Sequence, residues 1–218
     1  MTPKINLQPA NLAGIIAPVI FVSVFAVEGA LRPGYYPRSD YISALSLGPR
    51  GFIQIINFIV FGVLVFAFAR GVAARFKEEK ASQAGPVLLT IIAIGILFSG
   101  PFVMDPADTL PAQMSLHGTV HGILGGIVFL LMPVSCYVFL SRFRKDSKYQ
   151  SFRWWTLALA IFITATDIFF TLTTKIPAAR IIFHDWFGLI QRLVLIPFMV
   201  WVFLVATGFY LLGKEEQL

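Results

Sequence analysis

Six apolar stretches, each long enough to cross a bilayer, constrain this chain more than anything else in it. They fall at about 11–31, 52–75, 86–104, 117–140, 154–174 and 187–212. A spanning helix needs roughly 20 mostly apolar residues. Inside lipid every backbone polar group must be satisfied within the protein, so such stretches form helices. The expectation is an all-α fold, a polytopic membrane bundle of six transmembrane helices in a single domain over 1–218. Charge content agrees: 13% of residues are charged, against about 25% in an ordinary soluble domain. The first stretch follows Lys4 and lacks a small-residue cleavage site, so it reads as a retained helix and not a removed signal peptide.

The connecting loops set the expected orientation. The N-terminus with Lys4, the stretches Arg70 to Lys80 and Arg142 to Arg153, and the tail with Lys214 hold 11 of the 17 Lys and Arg. The loops 32–51, 105–116 and 175–186 hold five, and Arg192 falls inside the last span. An excess of Lys and Arg marks cytoplasmic loops. Both termini are therefore expected in the cytoplasm, and the protein in the plasma or inner membrane among membrane lipids. The loop "SRFRKDSKYQSFRW" is the strongest single indicator, read first as an orientation signal beside anionic headgroups. Glu78, Glu79, Asp146, Glu215 and Glu216 on that side read as solvated partners of the lysines and arginines.

This orientation gathers the chemistry on the opposite side. His117 and His121 stand one turn apart at the head of the fourth stretch, and His184 precedes the sixth. Glu28, Asp40, Asp105, Asp108 and Asp185 fall on the same side. Asp167 and Arg192 lie one to two turns inside their spans. Ionisable residues at such depth face the bundle interior and pair, so Asp167 with Arg192 is the natural buried pair. Thr164, Asp167, Thr171 and Thr174 form one polar stripe at helical spacing. Gly118, Gly122 and Gly126 follow the small-xxx-small spacing that lets a neighbouring helix come close. The expected arrangement is a polar, outward-opening pocket lined by the last three spans and roofed by "GYYPRSDYIS" and "MDPADTLP".

Three motifs occur in order: "RPGYYPRSDYISALSLGPRG" after the first span, "SGPFVMDPADTLPAQMSLHGTVHG" into the fourth, and "GLIQRLVLIPFMVW" in the sixth. This pattern resembles the six-helix membrane proteins of domain-of-unknown-function family 998. The resemblance singles out Asp40, Ser43, Asp105, His117, His121, Gln191 and Arg192, and implies no activity. His184 and Asp185 lie outside its pattern.

Several chemistries remain open for these residues. His117 and His121 at i, i+4 form a zinc half-site, which His184, Asp40 or Asp105 would complete. Zinc-bound water would then make the protein an intramembrane hydrolase, with Asp40, Asp105, His117 and His121 as candidate catalytic groups. Haem b would need one of the pair with His184 opposite, and a lone cysteine, Cys136, excludes covalent haem attachment. A third reading is a hydrogen-bonded network, with Asp105 accepting from His117, that fixes helix packing or holds a lipid-like, amphipathic ligand. Transport is weaker still, since no inverted repeat is visible. No P-loop, Gly-x-Ser-x-Gly or Gly-x-Gly-x-x-Gly occurs, so nucleotide, nucleic-acid and serine-hydrolase functions lack support. The favoured expectation is a ligand pocket of Asp40, Ser43, Asp105, His117, His121, Asp167, Gln191 and Arg192.

Overall fold

The computed structural model describes residues 6–215 of the chain. Lys4 and Glu216 lie outside the described residues. The helices are α1 (Gln8–Leu31), α2 (Gly51–Glu78), α3 (Ala84–Phe98), α4 (Leu116–Lys145), α5 (Arg153–Lys175), α6 (Pro177–Phe183) and α7 (Phe187–Glu215). Short 3-10 turns at Ile42–Ser46, Pro111–Gln113, Ser147–Phe152 and His184–Trp186 join them, and no strand occurs among the described residues. Five helices are long and apolar enough to cross a membrane, and α3 is shorter.

The helices form a ring in chain order. Each of α1, α2, α3, α4 and α5 packs on the next, α5 packs on α7, and α7 returns to α1. The ring has two ends. One, called here the histidine end, carries residues 32–50, 99–115 and 176–186. The other, the basic end, carries residues 79–83 and 146–152.

Helix boundaries follow local chemistry. Ser115 caps α4 by accepting from the Gly118 N–H at 2.9 Å. Arg142, Arg144 and Lys145 in its last turn suit the negative end of the helix dipole. The third apolar stretch was expected to stay helical to residue 104. It stops at Phe98 because Gly100 loosens the chain and Pro101 has no N–H to continue the ladder. Pro177 opens α6 at a position where its missing N–H costs nothing, turning an expected loop into a short helix.

Packing is uneven along the ring axis. Lipid tails are as apolar as leucine, so helix association in a membrane rests on van der Waals packing. Toward the basic end that packing is aromatic and continuous. Phe139 meets Trp201 edge-on at 5.2 Å, Phe143 meets Phe152 at 5.3 Å, and Tyr149 meets Phe209 at 5.5 Å. Cys136 is buried there as a small apolar side chain. Beneath this core sits a charge cluster that was expected to be merely solvated. Glu79 accepts from Tyr149 at 2.5 Å, Arg142 at 2.8 Å and Lys148 at 3.2 Å, and Arg142 also reaches Asp146 at 2.6 Å.

Candidate functional site at the histidine end

The three motifs build two clamps. In the first, residues 35–42 dock onto the start of α7. The Gly188 N–H donates to the Ser39 carbonyl at 3.1 Å and the Leu189 N–H to the Arg38 carbonyl at 2.9 Å. Gln191 accepts from the Ile42 N–H at 2.8 Å. Arg192 Nη1 donates to the carbonyls of Pro37 (2.7 Å), Asp40 (3.0 Å) and Gly188 (2.8 Å), and its Nη2 donates to the Tyr35 hydroxyl at 2.5 Å. Residue 188 must be glycine, because a Cβ there would run into the Asp40 and Pro37 carbonyls. Burial raises the Tyr35 phenol above its ordinary range against the opposing pull of Arg192, so Tyr35 stays a neutral hydroxyl that donates onward to the Tyr41 carbonyl at 3.2 Å.

The second clamp folds the turn after α3 against α4. His121 Nδ1–H donates to the Phe102 carbonyl at 2.8 Å and His117 Nδ1–H to the Pro101 carbonyl at 3.2 Å. A carbonyl only accepts, so in each ring Nδ1 carries the proton. Asp105 accepts from the Ser115 N–H at 2.8 Å and not from His117 as expected. Its carboxylate occupies the space where a Gly118 Cβ would stand. An aromatic floor joins the clamps: His121 lies edge-on to Phe58 (6.2 Å), Phe58 meets Phe21 (5.6 Å), Phe21 meets Phe25 (5.6 Å), and Arg192 stands 5.8 Å over Phe25.

Other expected residues take local roles. The Asp40 carboxylate accepts from the Tyr36 N–H at 2.7 Å and shapes its own loop. Ser43 is buried in the following 3-10 turn. His184 is exposed and its Nδ1 lies 3.0 Å from Asp185, away from either clamp's hydrogen bonds. No group of three His, Cys, Asp or Glu that could hold a metal occurs among the described residues. The His117 and His121 pair therefore gathers no third ligand for zinc.

Two expectations are corrected outright. Asp167 and Arg192 do not pair, because Arg192 is turned toward the loop carbonyls that satisfy it. The glycines of α4 do not seat a neighbouring helix: a Cβ at Gly122, Gly125 or Gly126 would meet nothing within 4 Å.

These two corrections define what is left at this end. Along α4 the inward series is Gly118, His121, Gly125, Val128 and Met132, with Val128 and Met132 buried. Along α5 it is Thr156, Ala160, Ile163, Asp167, Phe170 and Thr174, with the first three buried. Asp167 thus shares a face with core residues. Its Oδ1 is buried and has no hydrogen-bond partner among the described residues. In the expected stripe the Thr164 and Thr174 hydroxyls turn to carbonyls of their own helix, at 2.7 and 2.8 Å, and no threonine of the stripe bonds Asp167. Between Asp167 and the histidine end the two helices meet through the stacked Phe129 and Phe170 rings (5.1 Å), so Asp167 lies about one turn deeper than this contact.

Some of the machinery was not singled out in the sequence. Glu28, 3% exposed, accepts from Arg32 at 2.9 Å and from Arg50 at 2.6 Å, tying α1 to the start of α2. The i, i+4 spacing of Glu28 and Arg32 is a signal for half of this triad. Asn57 and Gln54 bond one another inside α2 at 3.2 Å, and the N–H group of Asn57 also reaches the Phe21 carbonyl at 3.1 Å.

A ring of long apolar helices with its charged and polar clusters at the two ends is a helical membrane protein. This chain belongs to the family described as "Protein of unknown function (DUF998)", which it matches over residues 15–208. That match takes in both clamps and Asp167. No curated protein and no solved structure matches the chain.

Proposed function

We propose that the protein binds an amphipathic, lipid-like molecule in the half of the bundle at the histidine end. A polar group of the ligand lies beside Asp167, and the rest extends along the glycine face of α4 toward His121 and the mouth. The observation that carries this reading is the inward-facing Asp167 carboxylate, whose buried Oδ1 has no partner among the described residues. An aspartate inside a span costs at least about 2.5–3.5 kcal/mol and is retained where it has work to do. A hydroxyl or ammonium donor on a ligand completes its hydrogen bonding. The two clamps hold the loops that roof this space. In this reading α3 also crosses, giving six spans. The 11 to five distribution of Lys and Arg supports a cell-membrane protein with both termini on the cytoplasmic side and the histidine end outside.

Lipid co-purifying with the protein tests the site. Wild type should carry a discrete amphipathic species by mass spectrometry, and Asp167→Asn should lose about tenfold of it while melting no lower than wild type. Equal retention in both proteins would defeat the reading. Impermeant thiol labelling of intact cells tests the orientation, in a Cys136→Ser background. Asp108→Cys and Ala178→Cys should react and Ser147→Cys should not; the reverse pattern would turn the site toward the cytoplasm.

A further inference from the structure

The loop between α4 and α5 holds more positive charge than its carboxylates absorb. Arg142, Arg144, Lys145, Lys148 and Arg153 lie within 12 consecutive positions, 142–153. Glu79 and Asp146 take up Arg142, and Glu79 takes up Lys148. Arg144, Lys145 and Arg153 have no carboxylate partner among the described residues. Two of these three are not simply dispersed on the surface. Arg144 and Arg153 line one depression of about 190 Å³, whose other walls are Trp154 and Leu157. The Arg153 guanidinium lies 5.0 Å over the Trp154 ring, which fixes its direction.

The level of this depression along the helices matters. Arg144 is in the last turn of α4 and Arg153 opens α5. The 30 residues of α4 reach about 45 Å, well past a hydrocarbon core about 30 Å thick. The arginines therefore stand at headgroup depth. Trp154 is 66% exposed, as an interfacial anchor is. Leu157 and the exposed Ile161 continue the same face of α5 toward the membrane centre. Tyr137 on α4 bonds Thr164 at 3.3 Å and closes the groove below them.

From charge, shape and depth together, the geometry points to a seat for the phosphodiester head of an anionic phospholipid in the leaflet at the basic end. Guanidinium forks match phosphate oxygens in a way a single ammonium cannot. One acyl chain runs down past Leu157 and Ile161. Lys145 adds attraction for a net negative head and discriminates against zwitterionic lipids, whose own ammonium it repels. An orientation signal needs only the presence of these charges in the loop. It does not need two of them to line one depression with a tryptophan while Arg142 and Lys148 are paired with carboxylates.

Native mass spectrometry of the full chain, released from nanodiscs containing equal phosphatidylglycerol and phosphatidylcholine, tests the seat. Wild type should retain phosphatidylglycerol preferentially. Arg144→Gln combined with Arg153→Gln should lower that retention about tenfold or more. A control, Lys77→Gln with Lys80→Gln, removes the same charge from the end of α2 and the turn after it and should stay within about twofold of wild type. Both pairs should melt as wild type does. An equal loss in the control would show a general field and overturn the seat, as would undiminished retention in the arginine variant. Inorganic phosphate at millimolar concentration should leave the lipid in place. Binding of phosphate with no preference between the two lipids would overturn the phospholipid as its occupant.

Discussion

The two ends of the bundle satisfy charge in opposite ways. At the basic end charge meets charge: Glu79 collects Arg142, Lys148 and the Tyr149 hydroxyl beneath a filled aromatic core. At the histidine end Arg192 and both histidines of α4 bond backbone carbonyls, and the nearby carboxylate of Asp167 stays unpartnered. A side chain spent on carbonyls fixes the path of a loop without consuming an acid. That difference separates a part where charges pair beneath a filled core from a part where a buried carboxylate oxygen is left without a partner.

The comparison breaks most easily at Arg192. Arg192→Gln should cost about 3 kcal/mol, since it strips three carbonyls, two of them part-buried, and the Tyr35 hydroxyl of their donor at once. Thermal melts in detergent read this directly, and a loss below about 1 kcal/mol would show that the clamp is not holding the loop.

Glu79 comes next. Glu79→Gln should cost about 2–3 kcal/mol because three donors lose their anion in a half-buried site. The effect carries a pH signature. Burial alone would raise the Glu79 carboxyl, but hydrogen bonds from Tyr149, Arg142 and Lys148 outweigh it and hold it below its ordinary value of 4.5. A lowered carboxyl contributes stability above that ordinary value and loses it as the pH falls through the lowered one. Wild type should therefore lose stability on acidification below 4.5, and the variant should lose less. Parallel curves would remove Glu79 from the account.

The smallest effect sharpens the contrast most. Asp167→Asn should change stability by less than about 1 kcal/mol, or raise it, because no partner is lost. Combined with Arg192→Gln it should be additive within about 0.5 kcal/mol. A larger coupling would mean that the two residues interact after all.

The apolar spans were legible because hydrocarbon leaves the backbone few options, and the motifs were legible because their polar residues stand out against it. What those residues bond was not. Arg192 and Asp167 lie at similar depths, and depth alone suggested a pair; the actual partners are carbonyls of Pro37, Asp40 and Gly188, which look the same at every position of a sequence. His117 and His121 also chose carbonyls over Asp105. The glycine spacing of α4 was visible, but whether a helix fills the gap depends on how the ring closes. Gly118 met a carboxylate and Gly122 met nothing.

The ring order has a consequence for how the chain is made. Ribosomes deliver α1 first and α7 last, and every earlier neighbour in the ring is already present when the next helix arrives. Assembly is therefore local until its final step, the kind of contact pattern that forms quickly. The closing contact of α7 on α1 is the exception, and it brings Gln191 and Arg192 to a loop synthesised about 150 residues earlier. Until that moment residues 35–42 have no dock. The first extramembrane loop is thus locked by the last helix, so that a truncated or stalled chain lacks the mouth as well as the missing span.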